Sequence, residues 1–144
     1  MKSITSKKNG LLAILIILVL SFGNFGCTYG FPEEFDKDEC IKKCEEIIEV
    51  ANTQDFEKLH SMLREDMQDN VEPADFDDAW GKKFKALGEF EKFGTPVLSG
   101  DIDPENGAIF AMIAYYCYYE KGEAVFTIFL DTDMEMTSIA MKLD

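Results

Sequence analysis

Between Asp36 and Ala51, the apolar side chains Cys40, Ile41, Cys44, Ile47, Ile48 and Ala51 recur every three or four residues, with Lys42, Lys43, Glu45 and Glu46 between them. That spacing predicts an amphipathic helix. Asn52-Thr53-Gln54 ends it, and a shorter helix from Asp55 places Phe56, Leu59, Met62 and Leu63 on one face. The chain turns polar at Gln68-Asp69-Asn70. Pro73 then suits the first turn of a third helix, whose apolar stripe is Phe76, Trp80, Phe84 and Leu87. Gly88 falls just beyond that stripe, where a left-handed cap is wanted.

Past Gly88 the period shortens to two. Glu89–Leu98 predicts a first strand, with Gly94 and Pro96 marking a bulge or an edge. Ser99–Gly107 is a cluster of turn formers. Ala108–Tyr119 predicts a long second strand, Ala124–Leu130 a third and Met134–Leu143 a fourth, joined by short turns at Glu120-Lys121-Gly122 and Asp131-Thr132-Asp133. Consecutive strands on short loops pair antiparallel. Helices followed by strands make an α+β domain, with three N-terminal helices packed on one face of a sheet of about four strands.

The second strand is apolar on both sides. Ile109, Ala111, Ile113, Tyr115, Cys117 and Tyr119 point one way; Phe110, Met112, Ala114, Tyr116 and Tyr118 point the other. A sheet with one wet face alternates apolar with polar, so both faces are expected to be covered. The helices cover one. For the other, a second copy of the chain is the preferred cover, with Tyr116 and Tyr118 as interface candidates. A different protein partner and the sheet's own curvature are the alternatives.

The first residues set the compartment. Lys2, Lys7 and Lys8 precede an unbroken apolar run, Leu11–Leu20, which is followed by the turn formers Ser21, Gly23, Asn24 and Gly26 and then by Cys27. This is the anatomy of a secretory signal. Ten apolar residues rise about 15 Å as a helix, half of a bilayer core. Residues 1–26 are therefore expected to be a signal peptide, 27–35 a tether and 36–144 the folded domain. Cys27 admits two readings. Diacylation of its sulfur would anchor the chain to the cell membrane as a lipoprotein, and Gly26 suits the position before it. Cleavage after Ser21-Phe22-Gly23 would instead release a secreted protein, and without cleavage the segment itself would serve as the anchor. Either way the domain is extracytoplasmic, at or outside the cell surface.

Removing the leader takes away three basic residues and leaves 11 basic against 28 acidic side chains, a net charge of −17. Such a surface repels phosphate backbones, which argues against nucleic-acid binding. Acidic residues are spread along the chain among plentiful aromatics, as in a folded domain. Cys40, Cys44 and Cys117 permit one disulfide in an oxidising compartment, or act as three small buried apolar side chains.

From Asp36 to Leu143 the layout resembles the nuclear transport factor 2-like fold, and more narrowly the bacterial family known as domain of unknown function 3887. The likeness rests on Ala51-Asn52-Thr53-Gln54-Asp55-Phe56-Glu57-Lys58-Leu59, on Ala86-Leu87-Gly88-Glu89-Phe90, and on Tyr119-Glu120-Lys121 with Phe129-Leu130-Asp131-Thr132-Asp133. The resemblance implies a curved sheet wrapped around the helices to form a cone with a cavity. It brings no established activity, and no cofactor.

The chemistry on offer is sparse. His60 flanks the apolar stripe of the second helix; as a general base it would need an orienting carboxylate, and Asp55, Glu65 and Asp75 do not single one out. Neither acidic turn, Asp101–Glu105 or Asp131–Glu135, has the glycine and glutamate that an EF-hand requires at its sixth and twelfth positions. No zinc or other metal motif is present. The reading is a non-catalytic binding domain, taking a small apolar ligand in the cone or a protein partner on the sheet. His60, Trp80, Tyr115 and Cys117 are the ligand-pocket candidates. The alternative is a small enzyme working through His60 and a carboxylate.

Overall fold

The computed structural model describes residues 30–144. The segment expected to be a signal peptide and Cys27 lie outside these residues. The helices are α1 (Lys37–Asn52), α2 (Phe56–Ser61), α3 (Glu65–Gln68) and α4 (Pro73–Leu87). The strands are β1 (Phe90–Ile102), β2 (Ile109–Tyr119), β3 (Gly122–Leu130) and β4 (Met136–Leu143), in one antiparallel sheet of order β1-β2-β3-β4.

Local chemistry sets the helix ends. The Asp36 carboxylate accepts from Glu39 N at 2.9 Å, and Asp55 does the same for Lys58 N at 3.1 Å, so each satisfies an N–H that lacks a helical partner. At α4, Glu72 and Asp75 form a reciprocal capping box ahead of Pro73. The additional helix, α3, is a single turn and buries no residue.

α1 runs along β2 in the same sense and is fastened by two phenols. Tyr115 Oη donates to Glu45 Oε1 at 2.6 Å, and Tyr119 Oη donates to Asn52 Oδ1. Beneath α1, the inner residues of β2 meet Ala124, Phe126, Ile128 and Leu130 of β3 and Met136, Ile139 and Met141 of β4. At the other side of the core, Lys83 Nζ donates to the Met141 carbonyl at 3.0 Å and ties α4 to the last strand. Register shifts at Phe90/Lys92 and Phe93/Pro96 put the irregularity of β1 where Gly94 and Pro96 suggested it.

Two boundaries differ most from the sequence expectation. β1 continues through Ser99 to Ile102, pairing Gly100 with Ala111 and Ile102 with Ile109, so the expected turn cluster is shortened. Phe31, Pro32 and Phe35, read above as tether, lie against the domain. Phe35 is buried and Phe31 packs on the core. Pro32 sits so close to Gly100 that a Cβ there would come within 2.5 Å of its ring, so the glycine makes room for the incoming chain.

Candidate functional site

The interior of the curved sheet is filled by side chains. Phe56 of α2 meets Phe76, Trp80 and Phe84 of α4 at ring separations of 6.2, 6.4 and 6.4 Å, and Trp80 stands edge-on to Phe126 of β3 at 6.0 Å. Along β1 and β2 a second group of rings continues the core: Phe90 on Phe93, Phe93 on Tyr115 and Phe90 on Tyr119. Among the described residues, a void of about 30 Å³ lies beside Leu63, Phe76 and Ile139. That is room for about two water molecules.

Three of the four ligand-pocket candidates are part of this packing. Trp80, Tyr115 and Cys117 are 5%, 3% and 0% exposed and belong to one continuous core. Burial pushes the Cys117 thiol up to about 12. Burial raises Tyr115 as well, and its hydrogen bond to Glu45 adds to the effect. His60 stands at the core's margin. Its Nε2 lies 3.0 Å from the Gln68 carbonyl and 2.7 Å from the Val71 carbonyl. Both partners are acceptors, so Nε2 carries the proton and donates, holding the α3–α4 connection against α2. Cys40, Cys44 and Cys117 are free and fully buried. Cys40 Sγ approaches Met134 Sδ at 3.8 Å, and burial lifts the Cys40 thiol to about 11.

The acidic turns are occupied by their own backbone. Asp131 Oδ1 accepts from Asp133 N at 3.0 Å and Glu135 N at 2.9 Å, and Arg64 Nη1 donates to its Oδ2 at 3.1 Å. Asp103 Oδ1 accepts from Glu105 N at 2.8 Å. Among the described residues, no group of three or more His, Cys, Asp or Glu side chains is arranged to hold a metal ion. No described helix is long and apolar enough to cross a membrane.

The outer face of the sheet is the larger feature. Register places Val97, Ala114, Thr127 and Ala140 side by side, flanked by Tyr116 with Val125 on one side and Met112 with Phe129 on the other. Val97 is 54% and Tyr116 36% exposed, while Phe110, Met112, Ala114 and Tyr118 are half-buried. Lys92 Nζ lies 5.2 Å over the Tyr118 ring at one margin, and Lys142, paired with Val125, borders the opposite edge.

No curated protein matches this chain. A solved NMR structure of a protein from Ruminococcus gnavus ATCC 29149 is similar, at 28% identity and a TM-score of 0.71, covering 79% of this chain and 97% of that one. That relative is almost wholly the matched region, so its own polypeptide folds with little outside it. Residues 44–139 match the family described as protein of unknown function (DUF3887). With most of its helices and nearly the whole sheet inside that match, the chain belongs to the DUF3887 family.

Proposed function

We propose that this protein is an exported, lipid-anchored, non-catalytic domain that works by pairing with a second copy of itself across the outer face of its sheet. The observation that carries the reading is that face: an apolar surface spanning all four strands, with Val97 and Tyr116 the most exposed of its large side chains. The cone's interior is filled by core side chains, and the exposed large apolar side chains Val97 and Tyr116 lie on the outer sheet face. Four strands about 4.8 Å apart, with about 3.3 Å of rise per residue, give a face of roughly 19 by 26 Å. That is about 500 Å², less than the ~800 Å² per partner of an ordinary stable interface, so the pairing is expected to be weak and concentration-dependent. Tyrosine supplies broad apolar contact with a polar tip, which suits such a surface. The basic head, apolar run and small-residue exit before Cys27 support export and anchoring.

Sedimentation equilibrium of residues 30–144 tests the pairing. A concentration-dependent dimer is expected, and Val97→Asp with Tyr116→Asp returns it to monomer without changing far-UV circular dichroism. A wild-type monomer at 1 mM, or a dimer indifferent to both substitutions, refutes it. Intact-mass analysis of the native N-terminus tests the anchor: Cys27 carrying acyl chains is expected, and an unmodified end at Asn24 rejects it.

A further inference from the structure

The first turn of α1 and the turn between β3 and β4 meet through sulfur. Cys40 Sγ donates to Met134 Sδ at 3.8 Å, across 94 positions of sequence. Met134 has a left-handed backbone, at a φ of 63°. A side chain as large as methionine keeps that conformation only where its surroundings hold it. Here Met134 N donates to the Asp131 carbonyl at 2.9 Å, the Asp131 carboxylate accepts from Asp133 N and Glu135 N, and the thioether is laid on the core. Met134 is half-buried, whereas Cys40 behind it has no exposed surface. The two sulfurs therefore differ in reactivity. Thiols are oxidised as thiolates; burial, with Asp36 and Glu39 nearby, pushes Cys40 up to about 11, so at neutral pH it is protonated and inert. A thioether needs no deprotonation and reacts wherever a peroxide touches it. Met62, Met67 and Met112 are half-buried as well, and what sets Met134 apart is the thiol behind it and its strained backbone.

We propose that Met134 is a site of reversible oxidation by hydroperoxides, and that its sulfoxide unlatches the β3–β4 turn from α1 and uncovers Cys40. The sulfur attacks one peroxide oxygen, so that the O–O bond breaks as the S–O bond forms and sulfur loses two electrons. The proton of the transferred hydroxyl passes to the departing oxygen, and hydrogen peroxide leaves as water. The product is polar where the thioether was apolar. It draws the side chain from the core toward water, and the backbone at Met134 loses the packing that held it left-handed. The site uses none of the outer sheet face and stands whether or not the protein pairs or is anchored.

The native protein is treated with hydrogen peroxide at neutral pH, the excess is removed, and iodoacetamide is added. Peptide mass mapping then follows each methionine and each cysteine. Met134 is expected to gain one oxygen, after which Cys40 is alkylated about tenfold faster, as for a local opening eased by one lost contact. Cys44 and Cys117 keep their rates. Methionine sulfoxide reductases of both stereospecificities, with a dithiol, restore the slow rate at Cys40. Met134→Leu, of similar volume and without sulfur, leaves Cys40 slow with or without peroxide. Met134→Gln, polar from the start, makes it fast without peroxide. The proposal is overturned if Met134 stays reduced while Met62, Met67 and Met112 are oxidised, or if oxidised Met134 leaves Cys40 slow. It is overturned equally if peroxide speeds Cys40 in Met134→Leu as in the wild type, or speeds all three thiols alike, the sign of general unfolding. If Met134→Leu fails to fold, reversal by the reductases and the comparison of Cys40 with Cys44 decide.

Discussion

Phe56 joins the short helix α2 to α4, and truncating it measures how far the helices and the sheet share one interior. Its side chain is 8% exposed and meets three rings between 6.2 and 6.4 Å away. Phe56→Ala removes that apolar area and leaves a cavity, for a cost of about 3–5 kcal/mol. Lost ring pairs place the effect toward the upper end of that range. A domain of this length has a total stability of roughly 6–17 kcal/mol, so the variant folds but is marginal. With a urea slope near 2 kcal/mol per molar, the midpoint falls by about 2 M. Phe56→Leu, which keeps more of the volume, costs about 1–2 kcal/mol. Urea titrations followed by far-UV circular dichroism and by the fluorescence of Trp80, the only tryptophan, read both quantities. A loss below about 1 kcal/mol for the alanine variant would refute the shared core. Separate midpoints for the two signals in the wild-type protein would refute it too.

The buried thiols predict a steep alkaline limb. Cys40 and Cys117 rise from an ordinary value of 9.0 to about 11 and 12, and Cys44, Tyr115 and Tyr119 are raised as well. Each folded value lies above the unfolded one, so stability is complete below about pH 9 and is lost as pH climbs through 9–12, at about 1.4 kcal/mol per unit per thiol. Thermal melting across pH 7–11 checks this, and equal Tm at pH 8 and 10.5 contradicts it. Asp131→Ala removes the acceptor of Asp133 N, Glu135 N and Arg64 Nη1 and is expected to cost about 2–4 kcal/mol. A urea-derived loss under 0.5 kcal/mol would show that the β3–β4 turn stands without it. Because the chain is strongly acidic, the dissociation constant of the proposed pair is expected to fall as NaCl rises from 50 to 500 mM. Sedimentation at the two salts checks the sign.

Regular elements were legible where local chemistry repeats. Asp36 and Asp55 announce helix starts, Pro73 and Gly88 bracket α4, and the two-faced apolar pattern of β2 marks a strand buried on one side and half-buried on the other. α3 escaped because one turn has no period to detect. The extension of β1 through Ile102 depends on pairing with Ile109 and on Gly100 admitting Pro32, both tertiary facts. Phe31 and Phe35 looked like tether because two aromatics among turn formers carry no repeat. Asn52 read only as a helix breaker. Its partner, Tyr119, is 67 residues away, and nothing in spacing connects an amide to a phenol at that distance. His60 was legible as a flanking residue, but its pairing with two backbone carbonyls depends on how α3 turns back toward α2.

The seating of Pro32 against Gly100 bears on how an anchored molecule would stand. With Phe31 onward fixed to the domain, three residues, Thr28, Tyr29 and Gly30, remain after Cys27. Fully stretched, they reach only about 10 Å. A protein mounted so closely has no leash with which to search its surroundings. It would ride on the lipid headgroups, meeting neighbours by lateral drift in two dimensions, and any tug on the acyl chains would be felt first at β1.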